Sequence, residues 1–350
     1  MNPSLEQPGG GRACAIRIDY RRIGSRPAGA GHRFLHAARA AKDGSGGRTN
    51  APLMAPAEQT RAVKAHAKLN VRLDVLDAQV SGLHCVRSIV GELALADDIT
   101  VEPSAGEFSV ECVGADVAQT DNVAWRAAQA LRLPLPALRV HIRKHIPLEA
   151  GLGGGSADAA ALLKTVAHVL ALNGNPIPHE RLLRAAAGAG SDVPACLYAG
   201  FKLVEGTGDR VRPLDVRAPS WGVVLLQPPG RVSTAAAYAM LDAARARSSA
   251  VRPPPDDMSG LCAALTSADL VAACARMRND FEPVIQAAFP DIAGARQRLR
   301  NAGASGTILC GSGSCVAGFY PTLGAAESAA AAIHLQSGDW IAVTQFIDER

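Results

Sequence analysis

Pro147-Leu-Glu-Ala-Gly-Leu-Gly-Gly-Gly-Ser-Ala-Asp-Ala-Ala-Ala161 separates the extended segment Leu138-Arg-Val-His-Ile-Arg143 from the helix-forming run Ser156-Ala-Asp-Ala-Ala-Ala-Leu-Leu-Lys164. Glycines at 151, 153, 154 and 155 let backbone N–H groups converge on a ligand. Ser156 stands where a helix exposes unpaired amides and the positive end of its dipole. Such a site selects an anion, and phosphate is the usual one. Two named glycine motifs are excluded. A P-loop needs Gly-Lys-Ser/Thr after its second glycine, whereas Ser156-Ala157 follow Gly155, and the dinucleotide fingerprint needs glycine where Ser156 sits. A flexible linker is disfavoured by the leading proline, the leucine inside the glycines and the helix directly after them.

Outward from this stretch, Ala67-Lys-Leu-Asn-Val-Arg-Leu-Asp-Val75 alternates strictly. Leu69, Val71, Leu73 and Val75 share one face and Lys68, Asn70, Arg72 and Asp74 the other, which predicts a half-buried strand carrying a polar row. A turn at Ser81-Gly82 leads to strands over His84–Leu95, Ile99–Glu102 and Phe108–Val113, a helix over Asn122–Leu131 and a strand over Leu138–Arg143. After the glycine loop and its helix come a helix over Glu180–Ala187, the acidic turn Gly190-Ser-Asp-Val-Pro-Ala-Cys196 and a strand over Leu197–Glu205. The chain then continues with a strand over Trp221–Leu226, a helix over Thr234–Arg245 and a proline-held loop at residues 248–257. Helices over Asp269–Arg276, Asp280–Ala288 and Ile292–Asn301 follow, then strands over Thr307–Cys310 and Cys315–Tyr320, a helix over Leu323–Leu335 and a closing strand over Trp340–Phe346. Strands and helices mixed without strict alternation predict an α+β chain with a boundary near Asp215 to Ser220.

The 350 residues, 48% of them hydrophobic, are enough for two domains. The net charge of +4 owes much to an arginine-rich leader, so the rest is near balance and nothing favours nucleic acid. Residues 1–60 lack a sustained apolar period and are expected to be disordered, or to precede a true start at Met54; an organellar transit peptide fits less well. The eight cysteines show no Cys-x-x-Cys spacing and read as buried thiols in a reducing compartment. Without an apolar run near about 18 residues or a signal sequence, the expectation is a soluble cytoplasmic protein, with no membrane partner.

Five separated segments, in order, resemble the GHMP kinases (galactokinase, homoserine kinase, mevalonate kinase, phosphomevalonate kinase). They are Ala67-Lys-Leu-Asn-Val71, the run Pro147 to Ala160, Gly190-Ser-Asp-Val-Pro194, Asn279-Asp-Phe-Glu-Pro283 and Gly311-Ser-Gly-Ser-Cys-Val316. They are most similar to the branch whose acceptor is 4-diphosphocytidyl-2-C-methyl-D-erythritol, in non-mevalonate isoprenoid synthesis. The resemblance implies a two-domain fold: a ribosomal protein S5 domain 2-like part over 61–217 that binds ATP, and a ferredoxin-like part over 218–350. It implies ATP and Mg2+ as cofactors, a cytidine diphosphate-linked polyol as substrate, and a monomer or homodimer. Pro147, Leu148, Glu149, Ala150, Gly151, Leu152, Gly153, Gly154, Gly155, Ser156 and Ala157 would form the nucleotide loop. Lys68 and Asp192 would be catalytic, the carboxylate taking the hydroxyl proton and the ammonium holding it. Asn70, His84, Gly311, Ser312 and Gly313 would meet substrate.

The match weakens at Ser81-Gly-Leu-His84, where that branch has Asp-Gly-Tyr-His. Leu83 offers no π face, and stacking on an aromatic is worth about 1 to 3 kcal/mol per base. Phe201 and Tyr198 are the candidate replacements. Two alternatives follow: another GHMP kinase with a sugar, homoserine or mevalonate-like acceptor, or a paralogue that binds without catalysis. His141 and His145, four apart without a zinc-protease glutamate between them, read as structural. Lys144 reads as solvated, though within reach of a phosphate.

Overall fold

The computed structural model describes residues 60–78, 83–113, 117–247 and 258–348. The expected leader, the Ser81-Gly82 turn and the proline-rich loop at 248–257 lie outside these residues.

Strand β1 (Arg61–Ala78) pairs antiparallel along nearly its whole length with β2 (His84–Pro103). The two strands expected between His84 and Glu102 are therefore one. Ala96-Asp97-Asp98 looks like a break in sequence, yet Asp97 is fully buried and its carboxylate accepts the N–H groups of His145 and Ile146 at 2.5 and 2.8 Å. Next come β3 (Ser109–Val113), helix α1 (Val123–Ala130), capped by the Asn122 side chain on the Ala124 N–H, and β4 (Leu138–Arg143). Helix α2 (Gly154–Leu172) starts inside the glycine run and lies in the core. By length and composition it is apolar enough to cross a membrane, contrary to the expectation that no such run exists, but most of it is buried within the fold. Helices α3 (His179–Ala189) and α4 (Val193–Cys196) follow. The strand expected from Leu197 starts only at Lys202, because Leu197 still has helical backbone as the C-cap of α4 and Gly200 turns the chain with φ +66°. The hairpin of β5 (Lys202–Gly206) and β6 (Arg210–Pro213) completes this part; β6 escaped the sequence reading because it carries only one aliphatic residue besides its proline.

The segment 214–221 leads to a second sheet. Its strand β7 (Gly222–Gln227) is followed by α5 (Thr234–Arg247), α6 (Ser259–Thr266) and α7 (Leu270–Cys274). A two-residue strand, β8 (Arg278–Asn279), leaves this half and pairs parallel with β1. Helices α8 (Glu282–Ala288) and α9 (Pro290–Asn301), the hairpin β9 (Gly306–Leu309) and β10 (Val316–Tyr320), α10 (Leu323–Ala332) and β11 (Trp340–Gln345) complete the chain. One sheet runs β3-β4-β2-β1-β8, with β5 and β6 attached through β2; the other runs β11-β7-β10-β9. The second sheet is antiparallel throughout and follows a βαββαβ path, as a ferredoxin-like unit does. The α+β, two-sheet organisation agrees with the expectation.

Two expectations about burial change. The polar row of β1 is not half-exposed: Lys68, Asn70, Arg72 and Asp74 are all buried, with Asp192 and the glycine loop against Lys68 and residues 276–278 against Arg72 and Asp74. Among the seven cysteines described, only Cys310 and Cys315 are buried and the other five are partly exposed.

Candidate active site

The buried row on β1 needs partners, since an ammonium out of water is costly unless paired and hydrogen-bonded. Lys68 Nζ donates to Asn70 Oδ1 at 2.7 Å and forms an ion pair with Asp192 Oδ2 at 3.2 Å. Asn70 in turn donates to Ser88 Oγ at 2.8 Å, and Ser88 Oγ donates to the Arg72 carbonyl at 2.6 Å. Lys68 is thus held from one side by a chain of polar groups ending in backbone. On the other side stands Asp192, at the N-terminus of α4, whose side chain caps no helix amide and turns to the lysine instead. The Lys68 side chain is 7% exposed and that of Asp192 45%. The pair therefore has a fixed cation and an acid open to solvent.

The glycine loop docks onto the same residue. The Lys68 N–H donates to the Leu152 carbonyl at 2.9 Å. Gly153, with φ +68°, leaves no room for a Cβ, which would lie 2.8 Å from Lys68 Cγ. Gly151, with φ +76°, lies so close to the second half of the chain that its Cβ would fall 1.7 Å from the Cys310 carbonyl oxygen. Beyond Gly153, α2 begins, and its first amides have no partner one turn earlier.

Opposite lies the turn between β9 and β10. The Ser314 and Cys315 N–H groups donate to the carbonyls of Glu149 and Ala150 at 3.1 and 3.3 Å. Ser314 Oγ accepts from Gln227 at 3.0 Å and donates to the Gly230 carbonyl at 3.1 Å. Together these elements enclose a cavity of roughly 430 Å³. Lys68, Asn70, Asp192, Gly311, Ser312 and Gly313 line it, as do Pro147 to Gly151 and Gly153 to Ser156. Leu152 and Ala157, expected in the nucleotide loop, point into the core instead and anchor the loop from below.

Lys144 is not solvated. Its ammonium lies 2.5 Å from Asp97 and 2.6 Å from Asp158, with all three side chains at or below 9% exposure. Burial pushes the Asp158 carboxyl up to about 7, with Lys144 opposing and Asp97 reinforcing the rise. Burial also works against the Lys144 ammonium, but the two carboxylates outweigh it and raise its pKa. The partners are 14 and 47 residues away in sequence, so no local pattern announced them.

His84 does not line the cavity. It bonds Asp242 at 2.8 Å and stacks on Tyr238, with ring centroids 4.9 Å apart. Tyr238 does line the cavity, and burial, with smaller contributions from Asp192 and Asp242, pushes its phenol up to about 12. Phe201 and Tyr198, the expected replacements for the missing aromatic, are elsewhere: Phe201 packs on Phe346 in the core and Tyr198 meets His179 edge-on. Tyr238, Ser88, Thr207, Thr234 and Phe281 are among the lining residues that sequence reasoning missed, and Lys144 lines the cavity as well. His141 and His145 make surface pairs with Glu111 and Asp98, in keeping with a structural reading. No group of three or more His, Cys, Asp or Glu side chains suited to a metal occurs among the described residues.

A lysine and acid pair, a helix mouth of free amides and a second loop closing on both suit transfer of a phosphoryl group. Comparison with known proteins agrees. The profile of the GHMP kinases N terminal domain matches residues 122–200, and that of the GHMP kinases C terminal domain matches 261–337. A 4-diphosphocytidyl-2-C-methyl-D-erythritol kinase from Pelotomaculum thermopropionicum is 34% identical over 291 residues, covering 82% of this chain and 98% of the relative. The chain belongs to the GHMP kinases. A kinase of the same name from Geobacter sp. (strain M21) is 37% identical over 284 residues, covering 79% of this chain and 95% of that one. A crystal structure titled 4-(cytidine 5'-diphospho)-2C-methyl-D-erythritol kinase superposes with a TM-score of 0.65 at 28% identity, covering 81% of this GHMP kinase and 99% of that chain. This GHMP kinase is an ATP-dependent small-molecule kinase with the family's two-domain fold.

Proposed function

We propose that this kinase transfers the γ-phosphoryl group of ATP to the 2-hydroxyl of 4-diphosphocytidyl-2-C-methyl-D-erythritol, in non-mevalonate isoprenoid precursor synthesis. The observation that carries the reading is the 3.2 Å Lys68–Asp192 pair at the mouth of the glycine loop. Residues 61–217 supply the nucleotide loop and 218–350 the turn that closes on it. Asp192 Oδ takes the acceptor hydroxyl proton as the hydroxyl oxygen bonds to phosphorus and the bond to the ADP oxygen breaks. Lys68 keeps the carboxylate in place and offsets negative charge on the moving group. The Gly151 to Ser156 amides hold the phosphates, and Asn70, Gly311, Ser312 and Gly313 bound the acceptor side. His84 acts on the acceptor through Tyr238, whose ring it backs.

Magnesium binds phosphate-bearing sites through one or two carboxylates and otherwise through water and phosphate oxygens, so a dedicated protein cage is not required. The half-exposed Asp192 carboxylate and the Ser156 hydroxyl, both on the cavity wall, are oxygen donors of the right hardness to hold it. When bound it would neutralise phosphate charge. A cytoplasmic enzyme is the reading that the free thiols of Cys112, Cys196, Cys274, Cys310 and Cys315 support.

Leu83, 60% exposed, supplies no stacking face, which favours a second reading with a different alcohol acceptor. ADP release with ATP and magnesium against a panel of alcohols decides between them. Turnover with the cytidylyl polyol alone supports the first reading; turnover only with a sugar, homoserine or mevalonate selects the second. Nucleotide binding without turnover on any acceptor would sink both.

A further inference from the structure

Asn279 does not line the cavity that holds Lys68 and Asp192, yet its side chain is 2% exposed and almost fully committed. Its Nδ2 donates to two carbonyls at once, Leu309 at 2.8 Å and Gly311 at 2.7 Å, while its Oδ1 accepts the Phe281 N–H at 3.0 Å. Both amide protons are used. Asn279 is itself fixed: it sits in β8 opposite Leu73 of β1, and the next residue's N–H donates to the Leu73 carbonyl at 3.0 Å. The Asp280 carboxylate then accepts the Val75 N–H at 2.9 Å. The strand that carries Lys68 therefore also sets the height of Asn279.

What Asn279 grips is the edge of the turn that faces the lysine. Gly311 has φ +52°, and a Cβ there would fall 2.9 Å from the Gly151 carbonyl oxygen and 3.2 Å from Lys68 Nζ. A flip of the Gly311 carbonyl would reshape the turn at the point where it meets the ammonium and the glycine loop. Nothing covalent prevents such a flip in a Gly-Ser-Gly sequence. The two bonds from Asn279 do, and they act on carbonyls that would otherwise be left buried without a donor.

We propose that Asn279 is a positioning residue for the transfer step: by holding the carbonyls of Leu309 and Gly311 it sets the Gly311–Ser314 turn at the distance from Lys68 and Gly151 that the reaction needs. This rests on the kinase reading above. Asn279→Asp keeps the shape but sets a carboxylate against two carbonyl oxygens; Asn279→Ser removes the grip without adding charge. Folded protein of either variant, counted by active-site titration, should lose about tenfold to a hundredfold in kcat, below or at the low end of what removing one direct donor to a developing charge costs. The KM for ATP should change little, because the glycine loop remains. Wild-type kcat in the folded variant, or a loss that only tracks the folded fraction, overturns the proposal. Side-chain amide exchange of Asn279 in the unmutated kinase is the second measurement and needs no variant to fold. Exchange much slower than that of an exposed asparagine such as Asn301 is expected, and equal exchange overturns the proposal. A wild-type enzyme silent on every acceptor would instead count against the function, and the exchange measurement would still judge the grip.

Discussion

Two lysines flank the glycine loop, and they differ in what surrounds them. Lys68 faces one carboxylate, Asp192, which is nearly half exposed. Lys144 faces two, Asp97 and Asp158, and both acids are sealed from solvent. The first cluster can take in a substrate and accept a proton from it. The second has no exposed acid to do so: Lys144 also lines the cavity, but its bonds run to the carboxylates that hold the backbone just before the loop and the first turns of α2. One lysine belongs to chemistry and the other to the architecture that holds the chemistry still. The separation is a matter of access, since the residue types are the same.

The sharpest way to break this contrast is to neutralise the acid of the open cluster. Asp192→Asn should leave the thermal midpoint near that of the wild type, because the carboxylate caps no helix and is half in water. Turnover should fall by about 10² to 10⁴, the range for a positioned general base. Steady-state ADP release alongside a thermal melt checks both halves. Wild-type turnover in the Asp192→Asn variant would remove this carboxylate from the mechanism.

The sealed cluster should respond the opposite way. Lys144→Met strips the cation that two buried carboxylates share. Breaking a buried pair from one side costs about 3 to 5 kcal/mol, which should appear in urea denaturation as a lower midpoint with an unchanged slope. Activity per folded molecule at low temperature should fall far less than in Asp192→Asn. If instead stability is kept and turnover is lost, Lys144 belongs with the chemistry and the contrast fails.

How far this was legible from the sequence follows the same line. The glycine loop, β4 and the alternation of β1 are local patterns, and each was read where the fold has it. Lys68 and Asp192 were paired through the family resemblance, since they stand far apart in the chain and no periodicity links them. Lys144 was misread as solvated because its partners come from the middle of β2 and the second turn of α2. Asp97-Asp98 likewise read as a strand break, although one of the two acids is an interior acceptor. β8 lies between two expected helices with no element predicted there, as two residues are too few to show a period. What sequence hid in each case was a polar group whose reason for burial lies on another element.

The smallest expected effect is also the one that tests the electrostatics of the sealed cluster most directly. With Lys144 cationic, two ionised carboxylates leave that pocket one negative charge in excess, and burial raises the Asp158 carboxyl to about 7 from an ordinary 3.8. The folded chain then binds a proton that the unfolded chain has released, so this group's contribution to stability is present below about pH 4 and is lost as pH rises through 7. Asp158→Asn keeps an oxygen that can accept from Lys144 and leaves the pocket neutral with Asp97. The groups facing the site are Lys144, Asp97 and the more distant Cys112 thiol, itself pushed up chiefly by burial. Denaturation midpoints should therefore be close for variant and wild type near pH 4 and diverge in favour of Asp158→Asn between pH 4 and 7, with no further divergence above pH 8. The opposite slope, with the variant losing ground as pH rises, would mean that the second carboxylate is ionised to good effect and that Lys144 needs both acids charged.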